Sequence, residues 1–112
     1  MDAGVAFSFD VHSDGNRVRL DLQGELDVFA IRPVRQRVAE LVGAGLGDVV
    51  IDLRRLTFID STGMRLLIGL HLQARRDGWT FALIQGPEPV QRVFEIAGTA
   101  NVLPFTADSR PA

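Results

Sequence analysis

The chain contains no cysteine and no lysine. Without cysteine there is no disulfide, no thiolate nucleophile and no Cys-ligated zinc. Without lysine there is no Schiff base, no P-loop phosphate clamp and none of the lysine chemistry of phospho-aspartyl receiver domains. The 12 basic residues are therefore all arginine, against 14 acidic ones, and the formal net charge is -2. No global basic field attracts nucleic acid, so no nucleic-acid partner is expected. The opening "MDAGVAFSFD" has neither a basic start nor a long apolar run and does not read as a signal peptide. The longest apolar stretch, around Leu66 to Leu72, is too short for a bilayer. A cytoplasmic protein with no membrane partner is the expectation.

What is present suits one small folded unit. The 112 residues, 46% of them hydrophobic, fit a single domain over 1–112. Its core is expected over about 5–105, with 106–112 as a mobile polar tail. Val5, Phe7, Phe9 and Val11 alternate with polar residues, as do Val18, Leu20 and Leu22. The Asp14-Gly15 signal between them predicts an antiparallel hairpin. Gly24 reads as the end of the second strand, and Glu25 and Asp27 as an acidic loop. Ile31, Val34, Val38, Leu41 and Val42 then recur at helical spacing, with Pro33 placed in the first turn. "DVVIDL" and "GWTFALI" read as strands covered on both faces. Helices are predicted over Thr62 to Arg76 and in "PEPVQRVFEIAG", and a last strand in "VLPF". The order β-β-α-β-α-β-α-β predicts an α/β fold, a mixed sheet with helices packed against it.

The helix after Ser61 carries two apolar stripes. Gly63, Leu66, Leu67, Leu70 and Ala74 form one, read as the core face. Met64, Ile68, His71 and Arg75 form another, roughly 110° away on a helical wheel. This second stripe is either a wider core face or a docking surface, since methionine adapts to interfaces.

At the head of that helix stands "DSTG", Asp60 to Gly63. Serine, threonine and aspartate are the preferred helix caps, which explains the residue types without any further role. A nucleophilic serine is disfavoured. The elbow motif needs glycine where Ile59 stands, and His71 lies ten residues along the helix, about 15 Å away at the helical rise. His12, the only other histidine, reads as part of the hairpin turn. The acidic pairs Asp52/Asp60 and Glu25/Asp27 lack a histidine at ligand spacing, so no metal or acid–base centre is expected. The remaining option is a hydroxyl modified by another enzyme. A phosphoryl group at a helix N-terminus meets free N–H groups and the positive dipole end, and adds about -1.5 to -2 charges. By residue type alone, Ser61 and Thr62 are both candidates.

"GELDVFA", "VVIDLRRLTFIDSTGMRLLIGLH" and "FEIAG" together resemble the STAS family, and more narrowly the single-domain anti-sigma factor antagonists of bacteria. The resemblance covers roughly Val5 to Phe105. It implies phosphorylation at Ser61, with Thr62 at a position usually not modified, Asp27 near the site and Gly63 permitting close helix approach. Asp27, Asp60, Ser61, Thr62, Gly63, Met64, Ile68 and His71 are the expected partner-binding residues; Met64 stands where leucine is more usual. The resemblance further implies a partner-switching cycle. The unmodified protein binds an anti-sigma factor that is also a serine kinase, which releases a sigma factor. Phosphorylation breaks the complex, and a Ser/Thr phosphatase resets it. The protein is then a substrate and binder rather than an enzyme, a monomer or weak dimer without a cofactor; ATP and Mg²⁺ belong to the kinase. The alternative is a STAS scaffold or accessory subunit of a stress-sensing assembly or lipid transport complex.

Overall fold

The computed structural model describes residues 6–106. Its first two strands, β1 (Phe7–Asp14) and β2 (Arg17–Leu26), pair antiparallel from Phe7↔Gly24 to Asp14↔Arg17. The reversal at Gly15 uses φ 65°, a region that only glycine enters freely. From there helices and strands alternate: α1 (Val28–Gly43), β3 (Asp48–Ile59), α2 (Ser61–Asp77), β4 (Thr80–Ile84), α3 (Glu88–Ile96) and β5 (Phe105–Thr106). β2, β3, β4 and β5 pair in parallel, and the sheet order is β1-β2-β3-β4-β5. The mixed α/β architecture and the element order match the sequence expectation.

The period of two decides which face is buried. Val18, Leu20 and Leu22 of β2, Val49, Ile51 and Leu53 of β3, and Phe81 and Leu83 of β4 are all buried on one face. They join a single core with Ala30, Val34 and Val38 of α1, Leu66, Leu67 and Leu70 of α2, and Val90 and Phe94 of α3. Thus all three helices cover the same side of the sheet. The other face carries the alternate residues, many of them charged. Asp52 is buried there and held by the Arg54 guanidinium at 2.6 Å, while Arg19 clasps Asp21 at 2.6 Å.

Several local expectations are corrected. β2 does not stop at Gly24; it runs on to Leu26 through register shifts, and Gly24 takes φ 91° where β1 passes close to it. A side chain at Gly24 would meet Ala6, its carbonyl carbon 3.1 Å away. Hence Glu25 is a strand residue paired with Phe58, not a loop residue. α1 begins at Val28, so Pro33 is its sixth residue, inside the helix, where it forgoes the bond to the Phe29 carbonyl. His12 lies within β1, opposite Arg19, rather than in the turn. The last strand is Phe105–Thr106 rather than "VLPF", and Thr106 pairs with Ile84 instead of opening a tail. The predicted strand start at Val5 and the tail over 107–112 lie outside the described residues.

Candidate functional site

The sheet delivers two helix N-termini to one place. β2 and β3 are parallel neighbours and end in register at Leu26↔Ile59. Each is followed by an aspartate that caps a helix. The Asp27 carboxylate accepts the Phe29 N–H at 3.0 Å, and the Asp60 carboxylate accepts the Gly63 N–H at 2.9 Å. The Asp60 carbonyl then accepts from Met64 at 3.0 Å, closing the first turn of α2. Asp60 also donates its own N–H to the Leu26 carbonyl at 3.4 Å, tying the two strand ends together.

Capping is therefore the work of Asp60, and Ser61 is the first helical residue. Of the three cap residue types that "DSTG" offers, the structure uses the aspartate. Ser61 is exposed, Thr62 is half-buried, and neither hydroxyl makes a hydrogen bond among the described residues. Gly63 is buried under the end of β2. A Cβ there would stand 2.9 Å from Leu26 Cγ and 3.1 Å from its carbonyl carbon. Only a hydrogen lets α2 approach this closely, and the approach brings Asp27, Asp60 and Ser61 to the same end of the domain.

The second stripe of α2 resolves differently from one residue to the next. Met64 is only 8% exposed, and its sulfur lies 3.2 Å from the Thr99 hydroxyl. It belongs to the wider core face and is not an accessible docking residue, which corrects that expectation. Ile68 and His71 are half-buried, and the His71 ring stacks obliquely beside Phe81 at 6.3 Å. His12 binds Asp21 at 3.2 Å on the opposite sheet face. His71 lies ten residues down α2 from Ser61 and His12 on the opposite sheet face, so no imidazole stands at the hydroxyl as a general base. Among the described residues, no three His, Asp or Glu side chains gather as a metal-binding set.

Asp52, the other acidic candidate, is structural. Burial pushes its carboxyl up, but the Arg54 hydrogen bonds and the charges of Arg54 and Arg19 outweigh this and hold it below its ordinary value. It sits mid-strand, eight positions before Asp60.

Sequence reasoning missed the exposed apolar residues around the site. Phe29 is 85% exposed, Val28 57% and Phe58 46%, all at the helix-capping end. Phe29 joins Phe7, Phe9, Glu25, Asp27 and Pro33 along an open groove of about 440 Å³. The available signal was the pair of large apolar residues directly after the capping Asp27, off the core stripe of α1. Exposed apolar side chains beside an acidic rim and a free hydroxyl suit contact with another protein.

Comparison with known proteins agrees with this geometry. The family model described as "Mlab, STAS domain" matches residues 9–104. The chain is 27% identical to the anti-sigma-B factor antagonist of Bacillus subtilis, over 89% of this chain and 91% of that one. It is 33% identical to BtrV of Bordetella bronchiseptica, provisionally described as an anti-sigma factor antagonist, over 81% of this chain and 78% of that one. The anti-sigma factor antagonist SpoIIAA in its unphosphorylated form superposes with a TM-score of 0.75 at 22% identity, covering 93% of this chain and 92% of SpoIIAA. Its phosphorylated form, from Bacillus, gives 0.69 at 20% identity, covering 93% and 96%. At those identities SpoIIAA speaks for the fold, while the family match and BtrV speak for ancestry. The chain belongs to the STAS domain family and groups with its anti-sigma factor antagonists.

Proposed function

We propose that this protein is a phospho-switched anti-sigma factor antagonist. Unmodified, it binds an anti-sigma factor that is also a serine kinase, and so frees a sigma factor. The kinase, with its own ATP and Mg²⁺, transfers the γ-phosphoryl group to Ser61. A bond forms from Ser61 Oγ to phosphorus, the bond to ADP breaks, and the hydroxyl proton passes to a base of the kinase. A Ser/Thr phosphatase later restores the hydroxyl.

One observation carries this reading: Ser61 Oγ is exposed and unengaged because Asp60 already caps α2. Modification thus removes no hydrogen bond from the fold. The new phosphate sits at a helix N-terminus, which tolerates it electrostatically. It adds about -1.5 to -2 charges beside Asp27 and Asp60, turning a contact surface into an anionic one.

The test is to incubate the protein with its cognate kinase and ATP and to map the phosphate by mass spectrometry. Label is expected at Ser61 and absent from Ser61→Ala; label on Thr62 or elsewhere counts against the proposal. A scaffold or accessory subunit would instead self-associate or copurify with sensor domains or a transporter regardless of ATP.

A further inference from the structure

The helical layer is basic on an acidic protein. α1 and α2 carry six arginines (Arg32, Arg35, Arg37, Arg65, Arg75 and Arg76) against two acids, Glu40 and Asp77, in a chain of formal net charge -2. Two of the six are neutralised locally: Arg37 pairs with Glu40 at 3.2 Å and Arg76 with Asp77 at 3.2 Å. Arg32, Arg35 and Arg65 are exposed and form no ion pair among the described residues.

Gly69 receives one of these charges. A Cβ there would stand 3.3 Å from Nη2 of Arg35, so the guanidinium reaches across from α1 onto the bare backbone of α2. Arg65 lies one turn before Gly69 and Leu72 nearly one turn after it, on the outward crest of α2. Leu72 is 58% exposed, and Ile31 and Ala39 line a shallow depression with Arg32 and Arg35 on α1. The crest therefore interleaves guanidinium groups with apolar side chains.

We infer that this α1–α2 crest is a second docking surface, and that its occupant is an acidic amphipathic protein segment. Carboxylates of that segment meet Arg32, Arg35 and Arg65, and its apolar side chains meet Leu72 on α2 and Ile31 on α1. Arginine forks match carboxylates bidentately, and complementary charge fixes register and speeds encounter. A nucleic acid fits less well, because a long polyanion following the helices meets Glu25, Asp27 and Asp60 at their heads. A bilayer fits less well too, since the exposed apolar area on the crest is small. The inference holds whether or not Ser61 is modified.

The experiment uses the full chain, labelled with ¹⁵N, and four probes: a peptide with Glu and Leu at helical spacing, its Lys/Leu counterpart, phosphatidylglycerol vesicles and duplex DNA. The Glu/Leu peptide should shift the amide resonances of Arg32, Arg35, Arg65 and Leu72, and the Lys/Leu peptide should not. Arg65→Glu, and separately Arg32→Glu, should weaken the Glu/Leu peptide about tenfold with melting unchanged. Unchanged affinity in both variants overturns the inference. So does tighter engagement of these residues by the vesicles or by DNA.

Discussion

Gly63 lies against the backbone of Leu26, so closely that a methyl group on its α-carbon would stand 3.1 Å from the Leu26 carbonyl carbon. This contact fixes where Ser61 sits relative to Asp27. Gly63→Ala is expected to lower stability by about 1–3 kcal/mol, the usual range for overpacking. For a domain of this size each 1 kcal/mol moves the melting temperature by roughly 4–8 °C. Calorimetry measures it, and an unchanged melting temperature would mean the helix head can retreat without strain.

Asp60 is the cap of α2, and Ser61 is not. Asp60→Ala should therefore cost about 0.5–2 kcal/mol, whereas Ser61→Ala should stay within about 0.5 kcal/mol of the parent. Urea titration of the two variants separates the roles. Equal losses would assign capping to both side chains.

Met64 is a core residue that sequence periodicity alone left ambiguous. Met64→Leu should change stability by less than about 1.5 kcal/mol, as volume-conserving swaps do. Met64→Asp should prevent cooperative folding, because an unpaired charge would replace a sulfur packed beside Thr99. Circular dichroism melts of both variants check this, and a cooperatively folded Met64→Asp would return the residue to the surface.

Asp52 sets an acid limit on stability. Its folded-state carboxyl ionises below the ordinary value of 3.8, so the unfolded chain binds more protons in that range. The stabilisation is complete above the ordinary value and is lost as pH falls through the lowered one. Denaturant midpoints should begin to fall only as pH drops below that ordinary value, and Asp52→Asn should flatten that acid part of the profile. A parallel slope in the variant would shift the effect to other carboxylates.

Much of the fold was legible because its signals are local. Alternation in Val18 to Leu22 and helical spacing in Leu66 to Ala74 fix face and element type directly. The errors came where tertiary contact overrides the local signal. Gly24 looks like a strand terminator, yet its positive φ lets the pairing with β3 continue to Leu26. The cap itself was not legible, because Asp60, Ser61 and Thr62 are all good cap types in sequence; only the Gly63 N–H, which donates to Asp60, decides among them. Phe29 was missed because its exposure depends on where α1 rests on the sheet, which no spacing rule reports.

Phe29 beside Asp27 is the apolar contact expected to matter for the partner. Phe29→Ser should weaken capture of the anti-sigma factor by about 1–3 kcal/mol, in the range of an aromatic anchor, with no loss of melting temperature. Surface plasmon resonance against the purified partner measures it. Unchanged affinity would move the interface away from the groove.

The central proposal is that charge at Ser61 breaks a complex without unfolding the protein. Isothermal titration of the anti-sigma factor with the unmodified protein and with protein phosphorylated at Ser61 tests it most directly. Phosphorylation is expected to weaken binding roughly 100-fold or more, about 3 kcal/mol, with the same melting behaviour in both forms. Equal affinity for the two forms would contradict it.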